Sequence, residues 1–172
     1  GPRFRWLLIG PERSGSGWHV DPAGTSAWNA SVHGCKRWAM YPPSMVPPGV
    51  TLRSLAGGGA EYEGGGCALE WFRDVYGALT PEARPLECIQ RPGEVVFVPA
   101  GWWHCVLNLE LTVAVTQNFS NAAASHALQS PARSGPERLL RPRGLREWHQ
   151  SVWPNLSATL TPAPWTCACL DP

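Results

Sequence analysis

Residues 15–41 read Gly15-Ser16-Gly17-Trp18-His19-Val20-Asp21-Pro22-Ala23-Gly24-Thr25-Ser26-Ala27-Trp28-Asn29-Ala30-Ser31-Val32-His33-Gly34-Cys35-Lys36-Arg37-Trp38-Ala39-Met40-Tyr41. Three short apolar runs are separated by Pro22-Ala23-Gly24-Thr25, which breaks the chain, and by His33-Gly34, a two-residue hairpin signal. Outward from this stretch the same grammar continues. Strands are expected at Arg5–Gly10, Trp18–Asp21, Ser26–Val32, Cys35–Tyr41, Leu86–Gln90, Glu94–Val98, Trp103–Asn108 and Thr112–Asn118. Arg91-Pro92-Gly93 carries Pro and Gly where a turn prefers them. Short strands at this spacing predict a mainly β fold, a jelly roll or barrel, over an open parallel sheet.

Composition agrees. A chain of 172 residues has room for one domain with a core, and its 18 Gly and 18 Pro favour turns over long helices. Ten Trp suit half-buried sheet surfaces. A net charge of +1 gives no push toward nucleic acid or membrane. Without signal peptide or membrane-length apolar run, a soluble intracellular chain is expected, and the start at Gly1-Pro2 reads as a fragment or processed product. Cys35, Cys67, Cys88, Cys105, Cys167 and Cys169 form no CxxC pair and read as buried thiols. The Asn-x-Ser/Thr matches at Asn29, Asn118 and Asn155 read as accidents.

Between the fourth and fifth strands lies an insertion of about residues 44–85. Its Gly runs (57–59 and 64–66) lack the Gly-Lys-Ser/Thr of a phosphate loop and read as flexible. A helix is expected from Ala68 to about Leu79. After residue 119 the chain turns polar and Arg-rich, so residues 1–119 read as the core and 120–172 as an appended segment. A helix over Pro136–Trp153, a solvated face or a subunit contact in preference to a nucleic-acid patch, and a tail from Thr161 are the expectations there.

The sharpest local signal is His19-Val20-Asp21. Residues two apart on a strand share a face, so both side chains can reach one ion. His104, in Gly101-Trp102-Trp103-His104, is the candidate third ligand. Two His and one carboxylate form the facial triad of non-haem iron oxygenases, although His-x-Asp alone turns up in many chains. His33, His126 and His149 lack this context. Thirteen of the fourteen basic residues are Arg, and Lys36 is the one Lys. If His33-Gly34 closes a hairpin, Asn29, Ser31, Lys36 and Trp38 share a face, and Lys36 can bind a small acid there. A short connection at Leu109–Leu111 would likewise put His104, Asn108, Thr116 and Asn118 on one face. Polar groups sharing a face of apolar strands argue for a lined cavity, with satisfied core polar groups as the bland alternative.

Gly15 to Pro22, Gly24 to Asn29, Gly34 to Trp38, Arg91-Pro92-Gly93-Glu94-Val95-Val96-Phe97-Val98-Pro99, Gly101 to His104, and Val115-Thr116-Gln117-Asn118-Phe119 together resemble the jumonji-C oxygenases. The branch they resemble is the phosphatidylserine-receptor-like one, bifunctional arginine demethylases and lysyl hydroxylases. The resemblance runs from about Trp6 to Phe119. It implies a double-stranded β-helix of cupin type, with a helical insertion and a C-terminal helical segment. It implies Fe(II) held by His19, Asp21 and His104, and 2-oxoglutarate as cosubstrate. Lys36 resembles the lysine gripping the distal carboxylate, with Asn29 and Thr116 beside it. Asn108 and Asn118 match pocket positions, and Ser16 stands where the branch often has Thr.

The resemblance further implies O2 as co-reactant and a protein or peptide substrate presenting Lys or methyl-Arg, as in histones or splicing factors. Hydroxylation of a lysine carbon leaves an alcohol, whereas hydroxylation of an N-methyl group ends in demethylation. The same chemistry on RNA or a ribosomal protein, and a non-catalytic scaffold, are the alternatives. A nuclear location follows from the family, with a cytoplasmic one otherwise, and the Arg-rich segment suggests a homodimer. The family's N-terminal region is absent from this sequence, and the Gly-rich insertion differs from the branch.

Overall fold

The computed structural model describes residues 5–55, 60–119 and 140–142. It contains all eight expected strands: β1 (Trp6–Gly10), β2 (Gly15–His19), β3 (Ser26–His33), β4 (Lys36–Tyr41), β7 (Leu86–Gln90), β8 (Val95–Val98), β9 (Trp103–Asn108) and β10 (Thr112–Phe119). They form two four-stranded sheets, ordered β1-β10-β3-β8 and β2-β9-β4-β7, in which every neighbouring pair is antiparallel. The fold is the expected double-stranded β-helix.

The register differs from the hairpin reading. Both edges of β3 are occupied, by β10 and β8, so it has no free edge for β4. Lys36 pairs with Asn108 and Gln90 instead of Ser31. Gly34, at φ +73, turns the chain from one sheet into the other, and a Cβ there would sit 2.1 Å from the Leu111 carbonyl oxygen. Leu109–Leu111 and Arg91-Pro92-Gly93 are crossings of the same kind, joining β9 to β10 and β7 to β8. A two-residue turn signal specifies a sharp reversal, but which strand is the neighbour depends on the edges left open. The shared faces survive because the sheets oppose one another across a common interior.

The described residues of the insertion form regular structure, while the Gly57-Gly58-Gly59 run lies outside the described residues. β5 (Val50–Ser54) and β6 (Ala60–Gly64) pair antiparallel, and β11 (Leu140–Pro142) adds parallel to β6. Helix α1 (Ala68–Asp74) continues into a 3-10 turn at Tyr76–Ala78, close to the expected end. At its start the Glu70 carboxylate accepts from the Cys67 N–H at 3.0 Å. The expected helix over residues 136–153 is interrupted by strand at 140–142. Its remainder, the tail, the proposed homodimer contact, His126, His149, Asn155, Cys167 and Cys169 lie outside the described residues. Cys88 and Cys105 are buried as expected, but Cys67 is exposed at the helix start. Among the described residues, no helix is long and apolar enough to cross a membrane.

Both faces of the second sheet are covered. Trp18, Ala39, Tyr41, Trp103, Cys105 and Leu107 on its outer face pack with Tyr62 of β6 and Trp71 of α1. Trp18 and Trp71 meet edge to face at 4.9 Å, and Tyr62 and Trp103 at 5.0 Å. All six residues of β9 are buried in consequence. Between the two sheets, Ala27, Trp38, Met40, Val96, Val98 and Val106 form a second apolar cluster. The space left open beside it is the site.

Candidate metal centre

A cavity of about 570 Å³ lies between the sheets, and every candidate site residue lines it: Ser16, His19, Asp21, Asn29, Lys36, His104, Asn108, Thr116 and Asn118. Their spacing in sequence becomes two groups in space, one around the histidines and one around Lys36.

His19 closes β2, and His104, on β9, is its Cα partner. Asp21 lies just beyond the strand, in extended conformation, at the start of a 3-10 turn (Pro22–Gly24). The expected strand therefore stops two residues early, yet the ligand atoms of His19, Asp21 and His104 lie within 4.8 Å of one another. His104 Nε2 is 3.9 Å from Asp21 Oδ1, and the imidazole rings stand 4.0 Å apart. Each Nδ1 faces a backbone carbonyl two residues earlier, Gly17 O at 2.9 Å and Trp102 O at 3.2 Å. A carbonyl can only accept, so each Nδ1 carries a proton, and in the neutral ring this leaves the Nε2 lone pair for a metal. Trp38 stacks over His104 at 6.3 Å, and its indole N–H donates to Gln90 Oε1 at 2.9 Å.

Electrostatics fit a cation. Burial, followed by the neighbouring His19, holds His104 well below the ordinary histidine range, so it stands neutral beside Asp21. Burial raises the Asp21 carboxyl, which His19 and the Asn118 amide draw back down. Asp21 Oδ2 is buried without a hydrogen-bond partner. An orphaned carboxylate oxygen beside two imidazole lone pairs is a costly arrangement for an apolar pocket and a fitting one for a divalent metal. Asn118 donates to Thr25 Oγ1 at 3.1 Å, and Thr25 in turn donates to Pro22 O at 2.8 Å, tying the turn behind Asp21 to β10.

At the second group, the Lys36 side chain is buried and, among the described residues, pairs with no carboxylate. Its ammonium donates to Asn108 Oδ1 at 2.7 Å and to Thr112 Oγ1 at 3.0 Å. Burial lowers its pKa below the ordinary 10.5. Two neutral acceptors do not balance a buried cation, so this end of the cavity suits an anion. Asn29 and Thr116, expected beside Lys36, line the same cavity and are Cα partners on β3 and β10. Thr116 donates to Trp28 O at 2.7 Å, and Asn29 Oδ1 is buried without a partner. Ser16 lines the wall on β2.

Thr112 and Ser14 were missing from the sequence reading. Asn108 Nδ2 donates to Ser14 Oγ at 2.8 Å, and Ser14 donates to Pro11 O at 2.6 Å. Neither lies within a recognisable motif. The one usable signal for Thr112 is that it opens a strand whose alternate residues, 112, 114, 116 and 118, are more polar than their neighbours.

The cupin-like domain model matches residues 5–125. "Lysine-specific demethylase JMJ21" of Arabidopsis thaliana is 56% identical over 120 residues, 70% of this chain and 13% of that protein. "Bifunctional arginine demethylase and lysyl-hydroxylase psr-1" of Caenorhabditis briggsae is 39% identical over 156 residues, 88% of this chain and 37% of that protein. "2-oxoglutarate and iron-dependent oxygenase JMJD4" of Danio rerio is 35% identical over 118 residues, 69% of this chain and 27% of that protein. The chain thus spans between about one eighth and just over one third of these relatives' lengths.

Proposed function

The chain belongs to the cupin-like domain family, and from that premise we propose that it is the catalytic core of an Fe(II)- and 2-oxoglutarate-dependent oxygenase acting on lysine or methyl-arginine side chains of proteins. The observation carrying this reading is the pairing, in one cavity, of three convergent ligand side chains with a buried ammonium that has no acid partner among the described residues. The names of the relatives support the iron, the cosubstrate and the substrate class.

In this reading His19, Asp21 and His104 would hold Fe(II). With 2-oxoglutarate and O2 as co-reactants, the iron would supply the oxidising power to hydroxylate a C–H bond, the keto acid leaving as succinate and carbon dioxide. The protein's own part is placement. The Gly17 and Trp102 carbonyls hold the imidazoles in their ligating tautomer, and Trp38 limits rotation of His104. Lys36, held by Asn108 and Thr112, takes the distal carboxylate. Asn29, Thr116, Asn118 and Ser16 line the space between the two groups, with the orphaned Asn29 Oδ1 free to accept from a ligand or water. Residues 1–119 form the catalytic unit and 120–172 an appended segment, for which a homodimer contact is proposed. A nuclear location fits a histone or splicing-factor substrate.

The test is succinate release from 2-oxoglutarate with Fe(II) and ascorbate, comparing the chain with His104→Ala, followed by mass analysis of Lys- and methyl-Arg-bearing peptides. Turnover lost in the variant, with hydroxylated or demethylated peptide, is expected. Modified RNA in place of peptide would redirect the substrate reading. Absence of both iron and 2-oxoglutarate binding would leave a scaffold.

A further inference from the structure

Lys36 is one end of a hydrogen-bond chain whose direction is fixed at the cavity wall by the loop joining β1 to β2, where Gly10, Pro11 and Ser14 line it. Ser14 has a single hydroxyl proton, committed to Pro11 O at 2.6 Å, so its oxygen can only accept from Asn108. That requirement turns the Asn108 amide so that Nδ2 faces Ser14 and Oδ1 faces Lys36, where it accepts from the ammonium at 2.7 Å. With the amide reversed, an NH2 group would face a cation. The loop bearing Ser14 is held against β9 by two backbone bonds, Arg13 N to Asn108 O and Asn108 N to Ser14 O, both 2.8 Å. Thr112, the other acceptor of Lys36, is the Cα partner of Gly10 at the start of the same loop.

Gly10 matters through the space it leaves. A Cβ at this position would lie 2.6 Å from Asn108 Nδ2 and 2.7 Å from Ser14 Oγ, in the middle of the bond between them. Its backbone is not in the left-handed region, so the requirement is for room, not for conformation.

We propose that Ser14 and Gly10, on the loop joining β1 to β2, are positioning residues that fix the Asn108 amide and so set how strongly Lys36 binds the distal carboxylate of the cosubstrate. This rests on the reading of Lys36 as the anion-binding group. Neither residue touches the metal ligands, so the effect falls on the acid and spares the ion. Asn108, freed of its acceptor, shares its carbonyl with Lys36 only part of the time, and the ammonium is correspondingly less well placed.

The experiment is calorimetric titration of 2-oxoglutarate into wild type, Ser14→Ala, Ser14→Thr, Gly10→Ala and Lys36→Ala, with Co(II) absorption as a separate measure of metal binding and steady-state kinetics alongside. Ser14→Ala and Gly10→Ala are expected to weaken 2-oxoglutarate binding and raise its KM roughly tenfold, the usual worth of one such hydrogen bond to a charged network. Co(II) binding and kcat are expected to stay as in wild type, and Ser14→Thr, which keeps the hydroxyl, to restore affinity. Wild-type affinity in Ser14→Ala together with loss in Lys36→Ala would overturn the inference alone. Equal weakening in Ser14→Ala and Ser14→Thr would also overturn it, since packing and not the hydroxyl would then be at work. Undiminished affinity in Lys36→Ala would overturn both this inference and the reading of the cavity beneath it.

Discussion

The two ends of the cavity are built by opposite means. At the metal end, each histidine is oriented by a carbonyl two residues earlier in the chain, Gly17 for His19 and Trp102, just before β9, for His104. At the acid end, Lys36 is oriented by residues 72 and 76 positions away, and Asn108 by a serine 94 positions away. The first is local geometry that a strand supplies wherever it runs. The second needs distant segments brought together: Asn108 meets Lys36 across neighbouring strands of one sheet, and Thr112 reaches it from the other. Ligation tolerates little angular error and is secured by backbone, whereas an ammonium is a point charge that side chains can hold.

The largest expected effect breaks the metal end outright. His104→Ala should abolish Co(II) and Fe(II) binding and with them succinate release, while glutarate, which needs only Lys36, still binds weakly by calorimetry. Next is Lys36→Ala, expected to weaken 2-oxoglutarate binding by roughly 2 to 5 kcal/mol while Co(II) titrations stay at wild type. Lys36→Arg should not rescue it, because a forked guanidinium does not fit the space of a compact ammonium. If either substitution disabled both ends equally, the division between them would fail.

Smaller effects sharpen the contrast. Thr112→Val keeps the shape but removes one acceptor of Lys36, and a loss of about 1 to 3 kcal/mol in 2-oxoglutarate binding is expected with no change in metal binding. The smallest is a pH dependence of the acid end. Burial lowers the Lys36 pKa, so the ammonium is lost at a lower pH than a free lysine would lose it. Below that folded pKa the cation is present and binds acid. As pH rises through it, KM for 2-oxoglutarate should climb before the ordinary lysine range near 10.5 is reached. In the absence of ligand the same shift has the opposite sign for stability. The burial penalty is full below the folded pKa and fades as pH rises toward 10.5, because only the unfolded chain stays protonated there. Kinetics and chemical denaturation across that window separate the two.

This division also explains what the sequence made legible. His19 and Asp21 could be read because their relation is a spacing of two along one segment. The eight strands were readable because turn residues punctuate them. Pairing was not, since His33-Gly34 specifies a reversal but not that β10 and β8 have already taken both edges of β3. Asn29 and Lys36 therefore line one cavity as expected, but from opposing sheets and not from one hairpin face. β5 and β6 went unread because Val50–Ser54 is short and mostly exposed, and the glycines around it carried the stronger local signal. Ser14 and Thr112 were invisible for the reason that defines the acid end: their meaning is set by Asn108 and Lys36, far away in sequence.

The measurement that bears most directly on the account is the affinity for 2-oxoglutarate with and without Fe(II), under nitrogen, in wild type and His104→Ala. One cavity holding ion and acid together predicts that Fe(II) tightens 2-oxoglutarate binding by at least about tenfold in wild type, the equivalent of roughly 1.4 kcal/mol, and not at all in His104→Ala. Binding of 2-oxoglutarate to wild type with the same affinity whether or not Fe(II) is present would contradict it, because the two ends would then not belong to one site.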